Sequence, residues 1–316
     1  MSSAPAALRI VLDWGTSSFR AFLISAEGRI VDRIESGQGI QSVPGGDFAS
    51  VLAAAIGPWR AAHGPLPIYA AGMIGSRNGW VEMPYAPCPA TSDDLAAQTR
   101  SLTLDQGDRI VFIPGLKDPS AHPFPDVMRG EETQLIGLGL DRDAVVVLPG
   151  THSKWARIES GRIERFRTFV TGEIFGTLSR HSFLSKVAVA PAAPDEAAFT
   201  KGAQLALSDD PAAGGLLTRL FALRTGYLAG ELPPESLTDY LSGLIIGAEF
   251  REAMLAGWCA AGDTVTVVGD DDLVALYMRC AKLAGLAPVQ GPADAAVRGT
   301  LAIARQVEAR GAPAPT

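Results

Sequence analysis

Leu8-Arg9-Ile10-Val11-Leu12-Asp13-Trp14-Gly15-Thr16-Ser17 and, later in the chain, Ala144-Val145-Val146-Val147-Leu148-Pro149-Gly150-Thr151-His152-Ser153-Lys154 read as two copies of one device. In each, an apolar strand runs into a Gly-Thr turn. In each, a further strand and a turn carrying Gly-Arg-Ile follow, at Gly28 to Ile30 and at Gly161 to Ile163. The likeness is weak residue by residue but well ordered, and ordered internal repetition bears on the fold before any local reading does. It predicts two similar halves facing each other.

Around these two anchors the pattern is α/β. Leu8 to Asp13, Phe19 to Ser25 and Arg29 to Glu35 read as a three-stranded meander. Asp47 caps a helix to Ala62, whose apolar residues Phe48, Val51, Leu52 and Ile56 have helical spacing. Pro67 to Gly72 and Arg109 to Pro114 read as strands, Pro84 to Pro89 as loop, and a capped helix starts near Ser92. After the second device come a hairpin over Trp155 to Phe169 and a helix with a Thr171 cap. Helices follow at Asp195 to Leu207, Leu216 to Leu228 and Pro234 to Leu255. A strand over Thr264 to Gly269 leads into a helix from Asp271 to Leu283, and a last helix spans Ala293 to Arg310, with a loose tail beyond.

The chain has 316 residues, 47% of them hydrophobic and 19% charged, which suits two globular domains. A net charge of -7, from 27 basic and 34 acidic residues, provides no basic field for a phosphate backbone, so nucleic acid is not an expected partner. Cys88, Cys259 and Cys280 are far apart and in no CxxC pair, which suggests neither a disulfide framework nor a zinc site. With no leader pattern at Met1 to Ala7 and no run of about 18 apolar residues, the expected location is the cytoplasm, away from membranes. Composition leaves a homodimer open.

The chemistry-bearing residues cluster in a few places. Gly15, Thr16 and Ser17 offer a tight turn with hydroxyls that suits phosphate oxygens, and Asp13 at the strand end is placed to hold Mg²⁺ through waters. An ordinary Gly-containing hairpin is the plain alternative. Gly150, Thr151, His152 and Lys154 repeat the clamp and add a lysine for phosphate charge, although a solvated hairpin lysine and a structural histidine read equally simply. No Walker or GxGxxG loop is present, so two opposed clamps are the available account of nucleotide binding. Glu131 and Glu132 open an apolar helix between the halves. Helix-dipole capping is the bland reading, and a carboxylate that takes the proton of an attacking hydroxyl is the functional one, with Glu131 preferred and Glu132 in reserve. Arg77, Asn78 and Trp80 gather in a Gly-rich loop that suits an acidic polyol, with a plain surface loop as the alternative. Arg20, Arg167 and Glu173 join them on the substrate side, or serve only as strand and cap residues. Gly269-Asp270-Asp271, after a buried strand, is where a base or ribose could rest, with acidic capping of the next helix as the equal alternative.

On these residues the sequence resembles the 2-dehydro-3-deoxygalactonokinase family of the actin, sugar kinase and Hsp70 superfamily, over nearly the whole chain. The carriers are Asp-Trp-Gly-Thr-Ser, Ala-Gly-Met-Ile-Gly-Ser with Gly79-Trp80, Met-Arg-Gly-Glu-Glu-Thr-Gln-Leu-Ile-Gly, Pro-Gly-Thr-His-Ser-Lys-Trp, Phe-Arg-Thr with Thr-Gly-Glu, and Leu241 to Glu249. The resemblance implies a two-lobed actin-like ATPase fold of the ribonuclease H kind, with duplicated mixed-sheet domains at 1–140 and 141–316 and a nucleotide cleft between them. The last helix is free to pack back on the first lobe. It implies ATP- and Mg²⁺-dependent phosphorylation of the 6-hydroxyl of 2-dehydro-3-deoxy-D-galactonate in galactonate catabolism. The acidic helix start is also similar to that of exopolyphosphatases, which keeps a phosphohydrolase open as the rival activity. A nucleotide-dependent regulator is a rival of a different class, and the gluconate-derived epimer is a second candidate substrate for the same kinase chemistry. One departure from the family is Asp270-Asp271-Asp272, where small hydroxyl residues are expected and where nucleotide preference would be affected.

Overall fold

The computed structural model describes residues 7–311, and the expectations for the first residues and for the tail at 312–316 lie outside them. In chain order its strands and helices are β1 (Ala7–Trp14), β2 (Phe19–Ser25), β3 (Ile30–Ser36), α1 (Phe48–His63), β4 (Pro67–Ala71), β5 (Tyr85–Pro87), α2 (Ser92–Ala97), β6 (Arg100–Thr103), β7 (Arg109–Phe112), β8 (Gly115–Asp118), β9 (Asp126–Met128) and α3 (Glu131–Gly137). The chain continues through β10 (Ala144–Leu148), β11 (Ser153–Glu159), β12 (Arg162–Phe169), α4 (Thr171–His181), α5 (Leu184–Val187), α6 (Glu196–Leu207), α7 (Leu216–Leu228), α8 (Leu237–Leu255), β13 (Thr264–Val267), α9 (Asp271–Leu283), β14 (Ala287–Gln290) and α10 (Ala295–Arg310). They form two compact units, one of residues 7–142, Glu159–Arg165 and 294–311, the other of Asp143–Ile158 and Phe166–Ala293.

The two main sheets have the same plan. One runs β3-β2-β1-β4-β7-β6 and the other β12-β11-β10-β13-β14. In the first, β1 pairs antiparallel with β2 and parallel with β4, and β4 is parallel to β7. In the second, β10 pairs antiparallel with β11 and parallel with β13, and β13 is parallel to β14. This is the duplicated ribonuclease H-like sheet of the actin-like fold, and the repeat seen in sequence falls on matching strands. Gly28 and Gly161 of the two Gly-Arg-Ile segments even share a left-handed backbone, with φ of 80° and 78°, where a side chain would be strained.

Each unit closes over its own core. In the first, Asp47 accepts the Ser50 N–H as N-cap of α1, which turns Leu52, Ile56 and Trp59 onto Ile10, Leu12, Ile68 and Phe112 of the sheet. In the second, Val147, Val265 and Val267 pack with Phe199, Phe250 and Tyr277.

Three local expectations are corrected. The stretch expected as loop at Pro84 to Pro89 contains β5, which pairs with β8 in a small third sheet with β9. Its prolines hide a strand because Tyr85–Pro87 makes only three pairs. Val170, not Thr171, is the N-cap of α4, since the Thr171 hydroxyl is drawn to a buried acid instead. The helix expected from Pro234 begins regularly at Leu237, after a 3-10 turn over Pro234–Ser236.

One packing contact fixes the acidic helix start. α10 crosses α3 with no side chains between the backbones: a Cβ added to Gly299 would lie 1.7 Å from the Thr133 carbonyl oxygen, and one added to Gly137 would lie 1.8 Å from that of Ala295. The far end of α10 is tied to the sheet by Glu308, which accepts from Tyr69 at 2.9 Å and pairs with Arg9 at 3.1 Å. A side chain at Gly299 must therefore push α3 and α10 apart. Gly299→Val is expected to cost about 3 kcal/mol and lower the thermal midpoint by roughly 5 °C or more. Gly57→Ala in α1, where an added Cβ meets nothing within 4 Å, should be neutral or slightly stabilising. Equal midpoints for the two variants would contradict this packing.

Candidate active site

In the first unit the ends of β1, β4 and α3 converge. Asp13 stands at the end of β1 opposite Arg20 on β2, and the Arg20 guanidinium lies 3.5 Å from its carboxylate. Gly72, just past β4, has φ 89°, and a Cβ there would come within 3.1 Å of Asp13 Oδ1. Gly130, with φ 110°, opens α3 beside Gly72. Only glycines fit these two positions without strain, and they let Glu131 be felt by Asp13. Burial raises the Asp13 carboxyl above its ordinary range, Arg20 opposes this, and the negative charge of Glu131 adds to it.

Glu131 and Glu132 differ sharply. Glu131 is half-buried, and one of its oxygens accepts the Arg129 N–H at 3.1 Å. Glu132 is fully enclosed at 0% exposure. Its Oε2 accepts the Gly130 N–H at 2.7 Å, but its Oε1 is buried with no hydrogen-bond partner. Burial first, and then the neighbouring Glu131 charge, push its pKa up to about 8. Simple capping accounts for the two backbone contacts and not for an acid held this far inside.

Arg129, to which sequence reasoning gave no role, is buried beside it. Its NH2 donates to the Met83 carbonyl at 2.9 Å and its guanidinium lies 4.3 Å over the Tyr85 ring, while Nε and NH1 are buried without partners. Ser76 Oγ is likewise buried and unpartnered. Both lie in segments already singled out, Arg129 directly before Gly130-Glu131-Glu132 and Ser76 directly before Arg77-Asn78, but nothing local marks them as buried.

The remaining first-unit candidates are more open. The turn at Gly15 is internally braced, with its N–H donating to Ser18 O at 2.8 Å, its carbonyl accepting from Ile40, and Trp14 Nε1 donating to Gln38 O. Thr16 and Ser17 are exposed. Arg77 and Asn78 are exposed on the loop after Gly75. Trp80 is partly spent on the core, stacked 6.1 Å from Phe48 and edge-on 6.0 Å from Phe112.

In the second unit Gly150, Thr151, His152, Lys154, Glu173 and Gly269 come together. The Glu173 N–H donates to Thr151 O at 3.0 Å, and its carboxylate meets His152 Nε2 at 2.7 Å. Lys154 is not a solvated hairpin lysine. It is buried, and Nζ donates to the His152 carbonyl at 3.0 Å. Gly269 sits against Pro149. Arg167 is half-buried on β12. Asp270 caps α9 by accepting the Asp272 N–H, and Asp271 accepts from Gln290, so two of the three departing aspartates have structural partners. Glu173 also lines a depression of about 330 Å³ with Val170, Ile174, Thr177 and Leu178.

The burial of Glu132 has a consequence for stability. Its carboxyl titrates near 4.5 when exposed and near 8 in the fold, so between these values the folded state holds the extra proton. The stability contributed by the neutral buried acid is full below 4.5 and is lost as pH rises through about 8, by on the order of 1 kcal/mol per pH unit at most. Glu132→Gln should therefore gain more in thermal midpoint over the parent at pH 9 than at pH 5. A difference independent of pH would contradict the burial of an ionisable acid there.

A family model for 2-keto-3-deoxy-galactonokinase matches residues 13–304. A Rhizobium meliloti (strain 1021) protein described as 2-dehydro-3-deoxygalactonokinase DgoK1 is 38% identical over 301 residues, covering 93% of this chain and 95% of that protein. The 2-dehydro-3-deoxygalactonokinase of Escherichia coli (strain K12) is 36% identical over 277 residues, covering 87% and 90%. Among solved structures, a Sinorhizobium meliloti protein described as a 2-dehydro-3-deoxygalactonokinase superposes with a TM-score of 0.83 at 33% identity, over 96% of this chain and 99% of that one. The activator of 2-hydroxyisocaproyl-CoA dehydratase from Clostridium difficile, with bound ADPNP, has a TM-score of 0.50 at 10% identity over 96% of each chain, a likeness of fold alone. With the acidic helix start and both Gly-Thr turns inside the matched span, this chain belongs to the 2-keto-3-deoxy-galactonokinase family.

Proposed function

We propose that the protein transfers the γ-phosphoryl group of ATP to the 6-hydroxyl of 2-dehydro-3-deoxy-D-galactonate, giving 2-dehydro-3-deoxy-6-phosphogalactonate in galactonate catabolism, as a cytoplasmic enzyme. Family membership supports the reaction. The observation that carries the mechanism is the half-satisfied Glu132 carboxyl, titrating near 8. A general base works best with a pKa near the operating pH, and a buried acid with one unclaimed oxygen is a marker of a functional site. We therefore assign proton acceptance to Glu132 ahead of Glu131, the reverse of the order preferred from sequence. The sugar hydroxyl gives its proton to Glu132 as its oxygen bonds to the γ-phosphorus, and the bond from that phosphorus to the bridging oxygen of ADP breaks.

Mg²⁺ fits the first-unit site chemically. Burial and the Glu131 charge both disfavour an ionised Asp13, which a cation would offset. Mg²⁺ keeps most of its waters and needs few protein carboxylates, so one carboxylate at a strand end is enough to hold it. Asp13 would hold it, and its charge would help neutralise the phosphates. Since the Gly15 N–H is committed to Ser18, the exposed Thr16 and Ser17 are the phosphate contacts of the first unit. Gly150, Thr151, His152 and Lys154 are assigned to the phosphates in the second, with Gly269 on the nucleoside. Arg20, Arg77, Asn78 and Trp80, with Arg167 and Glu173, are assigned to the sugar acid, Arg77 as the exposed fork for its carboxylate. No helix among the described residues is long and apolar enough to cross a membrane.

An ADP-release assay over a panel of 2-keto-3-deoxy acids tests the reading, with the galactonate-derived acid expected to stimulate most and its gluconate-derived epimer less. Glu132→Gln should lower kcat by about 100-fold or more, and Glu131→Gln by less. The parent's kcat/KM should rise with pH and level off above about 8, because the base must be unprotonated. If no acid stimulates ADP release the kinase reading fails, and if Glu132→Gln keeps full turnover the base assignment fails.

A further inference from the structure

Glu249 lies in the middle of α8, buried at 3% exposure, and has no part in the reaction described above. Its carboxylate accepts four side-chain hydrogen bonds. Oε1 takes Ser153 Oγ at 2.7 Å and Trp155 Nε1 at 2.7 Å, and Oε2 takes Thr171 Oγ1 at 2.5 Å and Tyr277 OH at 2.6 Å. The surroundings are aromatic, with Trp155 and Tyr277 both packed on Phe250. Burying a carboxyl in such a core costs several kcal/mol unless its oxygens are satisfied, and apolar residues would pack there at less cost. The donors show what the acid is for.

Each donor belongs to an element that borders the second Gly-Thr turn. Ser153 directly follows Gly150-Thr151-His152, and Trp155 follows Lys154 on β11. Thr171 is the first residue of α4. The next residue, Gly172, is pressed so closely on the turn that an added Cβ would lie 2.5 Å from Gly150 O, and Glu173 holds Thr151 O and His152. Tyr277 fixes α9, whose N-terminus follows Gly269. One carboxylate thus ties β11, α4 and α9 to α8.

We infer that Glu249 is a positioning residue that sets the geometry of the Gly150–Lys154 turn and thereby the enzyme's affinity for the nucleotide, not for the sugar acid. The inference rests on the assignment of that turn to ATP. Removing negative charge while keeping shape tests it. In Glu249→Gln only the amide oxygen can accept from Trp155 Nε1, which turns the amide NH₂ toward Thr171 and Tyr277 and reverses the bonds they make. The KM for ATP should rise about tenfold, the size of one lost hydrogen bond to a charged group, while the KM for the sugar acid stays within about twofold. Tyr277→Phe and Thr171→Val each remove one donor and should show a smaller rise of the same kind, and they decide the matter if Glu249→Gln does not fold. A merely structural role would lower the thermal midpoint and the active fraction with both KM values unchanged. That result, or an equal rise in both KM values, overturns the inference. Lys154→Met, measured alongside, separates the two levels. A raised ATP KM in Lys154→Met alone means that only the role of Glu249 falls, whereas no change in either variant means that the assignment of the turn to ATP falls with it.

Discussion

The direct backbone contact between α3 and α10, possible only because Gly137 and Gly299 have no side chains, is the constraint on which the first unit's chemistry depends. α3 is only seven residues long, too short to hold its place by helical propensity. Its position comes from α10, which is anchored to β1 and β4 through Glu308 and to α2 through the Arg310–Asp93 pair. With α3 held in this way, Gly130 meets Gly72, the negative charge of Glu131 is brought within reach of the Asp13 carboxylate, and Glu132 is turned inward beside it. A chain segment from the C-terminal end of the sequence therefore fixes acids near its middle against a strand at its start.

The two units each bury a glutamate, and the contrast between them lies in how fully each carboxyl is satisfied. Both acids are desolvated, and in both burial raises the pKa. Glu249 is answered by four donors and so has no capacity left over. Glu132 is answered by one backbone N–H and keeps an oxygen unclaimed, next to a second carboxylate that makes ionisation harder. An unsatisfied buried oxygen is expensive in a finished core, and that cost is the ground on which proton acceptance is proposed for Glu132.

Much of this was legible in the sequence because it is written in backbone terms. The repeated strand-to-Gly-Thr device gave both sheets their centre, Asp47 marked the start of α1, and Gly130-Glu131-Glu132 marked a helix start with two acids. What could not be read depends on distant partners. Nothing near Pro84 to Pro89 says that Tyr85–Pro87 pairs with β8, because the pairing partner lies across α2 and β7 in sequence. Thr171 looks like a cap until Glu249, far along the chain, claims its hydroxyl. The order of Glu131 and Glu132 was likewise invisible, since adjacent acids on a helix differ only in which one the fold turns inward. Trp80, read as a candidate sugar contact, shows how an aromatic residue in a polar loop can also complete a core stack.

The central claim is that a single carboxyl at the start of α3 is held inside the protein in a poised state. Carboxyl-carbon NMR of protein labelled at glutamate, with the Glu132 resonance assigned by its loss in Glu132→Gln, measures this directly. The account expects that resonance to titrate near pH 8, well apart from the surface glutamates. Titration in the ordinary carboxylate range would contradict it.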